Sequence, residues 1–249
     1  VTASVPSGRS KGKNEIFEQI PEKATQEIID NISKQIIGQK LSNQEEFDKL
    51  LTSFNLSKIG SNTALVLSIA YLKLSSLSNG VEDYTYINKL LSGDRKQEVI
   101  FPIPLFNVIN GGLHANNNLP FQEYLIIPRI KASYKENYFS VVDIYNNLKN
   151  VLIKIGQKTS VADEGGFSID TDNPIKVFDY ITEAIKETPH VSQSDIRFGI
   201  DASGDNLHIS NNLLSDYYSR LINHYQLLYL EDPYKENDLN NWNNCKHYC

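Results

Sequence analysis

The chain has 249 residues, of which 40% are apolar and 22% charged, enough apolar material for one large domain or two. Its formal charge of -6 argues against broad nucleic-acid or anionic-membrane binding, which needs a basic face. It would also repel an anionic substrate unless a bound cation reversed the local field. The N-terminal residues are polar, no run approaches the ~18 apolar residues of a membrane span, and only Cys245 and Cys249 offer thiols. A disulfide scaffold is therefore not expected, and a cytoplasmic protein is the simplest reading. The start at Val1 and the absence of methionine fit a fragment.

Up to about Arg95 the chain reads as helical. Pro21 to Ile37 carries Ile28, Ile29, Ile32, Ile36 and Ile37 close to the helical period, with Gly38 to end it. Asn43 to Phe54 repeats the pattern, with Asn43 as N-cap and Glu46 as its capping-box partner. Ala64 to Leu77 is nearly all apolar and should be buried on most sides.

From Phe101 short apolar runs alternate with helical patterns. The runs are Pro102–Ile109, Tyr124–Ile127, Arg197–Ile200 ending in Asp201, and Leu227–Leu230 ending in Glu231. Val141 to Ile155 marks a helix stopped by Gly156, Asn173-Pro174 opens a second, and Leu214 to Tyr225 is a third. Buried strands alternating with helices predict a parallel α/β sheet or barrel. The expected domains are 1–95 and 101–249, and no repeat is evident.

Asp201 and Glu231 each follow an apolar strand directly, at the end where barrel active sites are built. Two carboxylates converging there suit a hard cation, although Asp201 could equally cap a turn and Glu231-Asp232-Pro233 simply open a loop. Asp163-Glu164-Gly165-Gly166 predicts a tight turn presenting a carboxyl. A like charge or desolvation would raise its pKa toward that of a general acid, unless the turn is merely solvated. Asn107-Val-Ile-Asn-Gly-Gly-Leu-His114, with Gln122-Glu123 beyond it, combines a sharp turn with a possible donor to an anion. A lone histidine in a loop is more often structural. Ser7-Gly-Arg-Ser-Lys-Gly12 could face phosphate or be a flexible end, and it lacks the Walker A spacing.

Together these segments resemble the enolase family in composition, order and spacing. Val5-Pro-Ser-Gly-Arg-Ser-Lys-Gly12 is similar to its VPSGASTG loop and Lys58-Ile-Gly-Ser-Asn62 to its K-x-G-A-N helix start. Phe106 to His114 is similar to FNVINGGSHA, Gln122-Glu123 to the QE that follows, and Asp163 to Phe167 to DEGGF. Asp201 and Leu230-Glu-Asp-Pro233 are similar to two of its metal-ligand strand ends. The resemblance implies part of an N-terminal α+β capping domain over 1–95, and over 101–249 the first half of an α/β enolase-type barrel. It further implies magnesium-dependent dehydration of 2-phosphoglycerate to phosphoenolpyruvate. Asp201 and Glu231 would ligate magnesium, and Ser10 would complete a second metal's shell. Glu164, helped by Glu123, would assist loss of the hydroxyl. His114, Gln122 and Glu123 would line the substrate pocket. A homodimer is the family's usual state, with no nucleic-acid or membrane partner implied.

The departures are specific. The family's third metal-binding aspartate, its base lysine and its later substrate-holding residues have no counterpart before Cys249. About four barrel strands are legible, where a whole barrel takes about 250 residues. Arg9 and Lys11 replace the usual alanine and threonine, and Ala202-Ser-Gly-Asp205 replaces A-A-S-E. The chain alone is therefore expected to lack dehydratase activity. Three alternatives stand beside this reading: a non-catalytic enolase-like binding protein or remnant, another superfamily enzyme acting on a different α-proton, and a zinc site at Cys245-Lys-His-Tyr-Cys249, which lacks a fourth ligand.

Overall fold

A computed structural model describes residues 1–8, 11–93, 100–129 and 133–245. The chain divides into two compact units, Val1–Val99 and Ile100–Cys249.

The regular structure of the first unit is all helical: α1 (Pro21–Glu27), α2 (Ser33–Ile36), α3 (Gln44–Ser53), α4 (Leu56–Ile59), α5 (Ser61–Ser78) and α6 (Asp83–Ser92), with a π turn at Ile28–Ile32 between α1 and α2. Pro21 starts α1 from its first turn, where its missing N–H costs nothing. Asn43 caps α3 by accepting from the Glu46 N–H at 2.9 Å. The Glu46 carboxylate, however, accepts from the N–H of Ser42 at 2.8 Å, one residue before the cap. Ile28, Ile32 and Ile36, spaced by four, face a small core of Phe47, Leu51 and Ile59, where Phe47 stacks on Tyr71 at 4.2 Å. Ile29 and Ile37 stay exposed.

As the helical reading of this stretch expects, the unit has no strand among the described residues. The extended segment before α1 is held instead by a side chain, since Asn62 accepts from the Gln19 N–H at 2.9 Å and donates to its carbonyl at 2.8 Å. One expectation differs: α5 is not buried on most sides. Leu65, Leu74 and Leu77 are exposed, because the helices of this unit packed on α5, chiefly α3 and α6, leave parts of it uncovered.

The second unit carries β1 (Phe106–Asn110), β2 (Glu123–Pro128), β3 (Ile196–Asp201) and β4 (Leu227–Glu231), in that order in one sheet. Its helices are α7 (Tyr134–Lys154), α8 (Pro174–Lys186), α9 (Asn211–Tyr225) and α10 (Leu239–Cys245). All four strands read from apolar runs are present. The sheet is mixed rather than parallel: β1 and β2 are antiparallel, β2 and β3 are antiparallel, and β3 and β4 are parallel. The connection between β1 and β2 has only a three-residue helical turn, Gly112–His114, too short for a parallel crossover, whereas α9 supplies one between β3 and β4.

A full capping box at Ser133 and Glu136 opens α7, and Asn173 with Pro174 opens α8 as the dipeptide predicts. Their apolar stripes bury Ile144, Leu148, Leu152, Phe178 and Ile181 against the sheet residues Tyr124, Ile126, Phe198 and Ile200. An aromatic chain runs through this layer, with ring centroids of Tyr124 and Phe178 5.6 Å apart and those of Phe178 and Phe198 5.3 Å apart. The strand directions bring the end of β1, the start of β2 and the ends of β3 and β4 to one edge of the sheet.

Candidate active site

Glu123 opens β2 opposite Asp201, which closes β3, and Asp201 stands in register with Glu231, which closes β4. Apolar residues bury β2 and β3, while β4 is only partly covered, and all three acids stand at strand ends, where the sheet meets its loops. Asp201 is buried, with its Oδ1 accepting from the Ser203 N–H at 2.9 Å and its Oδ2 from Gln122 Nε2 at 2.8 Å. Burial, joined by the charges of Glu231, Asp232 and Glu164, pushes its carboxyl up to about 6 against the opposing Ser203 bond. Glu231 is exposed and accepts from the Tyr229 hydroxyl at 2.8 Å.

The Asp163–Gly166 turn lies against the end of β1. Gly165 N–H donates to the Ala162 carbonyl at 3.1 Å, Ala162 N–H to the Gly166 carbonyl at 2.8 Å, and Asn110 N–H to the Phe167 carbonyl at 3.1 Å. Gly165 has φ of +90°, open to glycine and poorly to other residues. A Cβ on Gly166 would fall 2.6 Å from Asn110 Oδ1 and 2.8 Å from the Ile109 carbonyl carbon, so this close approach also requires glycine.

The turn delivers Glu164 to Glu123 and His114. One ligand-capable atom from each of the three lies within 4.8 Å of the others. His114 is buried, and its Nδ1 lies 2.6 Å from Glu164 Oε2. The approach is bent, so neither ring nitrogen has an aligned hydrogen-bond partner. Asn110 Nδ2 donates to the same Oε2 at 3.1 Å.

The two carboxyls of this cluster are pushed in opposite directions. Glu164 is not the raised carboxyl: burial pushes it up, but bonding from Glu123 and Asn110 and the close approach of His114 outweigh that and hold it below its ordinary value. Glu123 is the raised one. Its burial, the bond and charge of Glu164, and the charges of Asp201 and Glu231 push it up to about 8. Two facing carboxyls cannot both ionise cheaply, so one keeps a proton.

The structure therefore brings together His114, Gln122, Glu123, Glu164, Asp201 and Glu231. Gln122 supports Asp201 through its amide, with Oε1 buried and lacking an aligned partner. Ser10, and Cys249 of the zinc alternative, lie outside the described residues. Two participants carried no role in the sequence reading, Asn110 and Tyr229. An asparagine directly after the apolar pair Val108-Ile109, at the end of β1, could have flagged the first; nothing flagged the second.

This architecture is an α/β barrel-type domain following a helical unit, with its acids gathered at one edge of the sheet. Residues 98–212 match the profile described as the enolase C-terminal TIM barrel domain, and residues 1–87 match that of the enolase N-terminal domain. The chain is 32% identical over 266 residues to a curated protein named Enolase from Ehrlichia canis, covering 96% of this chain and 62% of that protein. It is 35% identical over 257 residues to the Enolase of Saccharolobus solfataricus, covering 93% of this chain and 59% of that one. It thus spans roughly three fifths of the length of these relatives. The chain belongs to the enolase family.

Proposed function

We propose that this chain carries the acid side and two of the metal-binding carboxylates of an enolase, acting on 2-phosphoglycerate and phosphoenolpyruvate with magnesium. The observation that carries the reading is the ladder register aligning Glu123, Asp201 and Glu231 at one edge, with Glu164 folded onto Glu123.

The donor set fits a divalent cation. Asp201 and Glu231 are hard oxygen ligands on adjacent strands, and magnesium takes one or two carboxylates with substrate oxygens and water. Uncompensated negative charge at Asp201 is the condition a bound cation relieves. Bound there, magnesium would offset the charge developing on the substrate carboxylate as its α-proton leaves. Gln122 Nε2 and Ser203 N–H orient Asp201 for this role, and Ser10 is our proposed contributor to a second metal's shell. Tyr229 restrains Glu231.

On the acid side, Glu123 holds a proton at neutral pH and shares it in a hydrogen bond with Glu164. Departure of the substrate hydroxyl needs a proton delivered to its oxygen, and the Glu123/Glu164 pair holds one. His114 and Gln122 line the pocket. The base lysine and third aspartate of the family have no counterpart here, so we propose that the 249-residue stretch by itself does not turn over. Homodimerisation and a cytoplasmic setting belong to the same family-based proposal. No single helix among the described residues is long and apolar enough to cross a membrane.

The test is calorimetric titration of the purified chain with magnesium, alongside a phosphoenolpyruvate absorbance assay. Saturable binding lost in Asp201→Asn supports the metal assignment, and binding unchanged by that substitution overturns it. Sustained magnesium-dependent turnover by this chain alone overturns the claim of inactivity.

A further inference from the structure

Asn110 is completely buried at the end of β1, and its partners fix which way its carboxamide faces. Oδ1 accepts from the Gly166 N–H at 3.0 Å, while Nδ2 donates to the Gln122 carbonyl at 3.2 Å and to Glu164 Oε2 at 3.1 Å. Turning the amide over would set N–H against N–H at Gly166 and leave two acceptors facing an oxygen, so only one orientation satisfies the site. The backbone beneath is pinned as well, since Asn110 N–H donates to the Phe167 carbonyl and the Asn110 carbonyl accepts from Asn117 Nδ2 at 2.9 Å.

We propose that Asn110 is a positioning residue: one end of its carboxamide anchors the Asp163–Gly166 turn, and the other fixes Glu164 as a hydrogen-bond acceptor, the ionised member of the Glu123/Glu164 pair. Its relevance to turnover rests on the enolase reading above, whereas the claim about Glu164 does not. The groups facing Glu164 are His114 from the turn after β1, Glu123 from β2, and Asp201 from β3 through space. A proton on Glu164 Oε2 would point at the donor Nδ2. The same proton on Glu123 points at an acceptor. Asn110 thus favours the ionised form of Glu164 over that of Glu123, to which it gives no such bond.

Asn110→Asp separates the two functions, because it keeps an acceptor for Gly166 N–H and replaces the donor toward Glu164 by an acceptor. Carboxyl-carbon NMR titration of Glu164, with amide exchange at Gly166, reads each function separately in the 249-residue chain. The expected result is Gly166 protection retained and the Glu164 midpoint raised by about one pH unit or more. An unmoved midpoint with protection retained overturns the proposal, leaving Asn110 as a structural pin. If Asn110→Asp does not fold, the double variant with Glu164→Gln decides. The amide at position 164 can donate to the new carboxylate, so recovery of folding supports the proposal and failure to recover overturns it. Magnesium binding enters neither readout, so failure of the metal assignment is seen separately.

Discussion

Glu123 and Asp201 face one another across the β2–β3 ladder, the first residue of one strand opposite the last of the next. Both are pushed up, to about 8 and about 6. Strand direction makes this pairing: in an all-parallel sheet the start of β2 would lie at the opposite edge from the end of β3.

Cation affinity should depend on pH through Asp201. Its carboxylate must be deprotonated to bind, and it takes up a proton below about 6. Magnesium affinity should therefore fall by about tenfold per pH unit below that value and level off above it. Calorimetry across pH 5 to 8 checks this, and a flat profile would remove Asp201 from the ligand set.

Without a cation, the raised carboxyls should make the chain less stable as pH rises. Glu123 has a folded value of about 8 against an ordinary 4.5, so the folded state binds its proton more tightly. That contribution is fully present below the ordinary value and is lost as pH rises through about 8. Asp201 acts in the same sense between 3.8 and about 6. Glu164, held below its ordinary value, opposes them only as pH falls through its lowered range. Glu123→Gln should stabilise the cation-free chain at pH 8 by on the order of 2 kcal/mol, allowing for partial exposure. Urea midpoints at pH 5 and pH 8 measure it, with little change expected at pH 5.

Gly166→Ala should disturb the site more than its size suggests. The new methyl would meet Asn110 Oδ1 at 2.6 Å and backbone beside it at 2.8 and 2.9 Å. Backbone cannot yield as a flexible side chain does, so a loss of about 1–3 kcal/mol is expected. Chemical denaturation provides the number.

Phe178→Ala should be among the costliest truncations. The ring is fully buried among Tyr124, Phe198 and Tyr225, and such a cavity costs about 3–5 kcal/mol. Leu239→Ala, at a residue 70% exposed, should change the denaturation midpoint little.

Much of the fold was legible because its signals are local. Asn43, Pro21 and the Asn173-Pro174 pair announce helix starts through their own hydrogen-bonding chemistry, and four apolar runs announced four strands. Strand direction was not legible, because an apolar run has no polarity; only the absence of a crossover helix between Asn110 and Glu123 hinted at it. Ala64–Leu77 misled because composition reports what a helix can bury and not which faces are covered. At the site, the residue types were readable, yet the difference between Glu123 and Glu164 was not. It arises from Asn110 and His114 converging on one carboxyl, a contact between segments fifty or more residues apart.

The antiparallel entry of β2 has a consequence for how this site can vary. His114 and Glu123 lie on one continuous stretch whose far anchor is the Gly111 N–H on the Gln122 carbonyl. An insertion or deletion between them would displace histidine and acid in concert. Asp201 and Glu231 close separate strands joined through α9, so length changes around α9 can accumulate without shifting either strand end. Sequence drift within the family should therefore be rigid in length across 111–122 and permissive around 208–226, a pattern that comparison of family members can read directly.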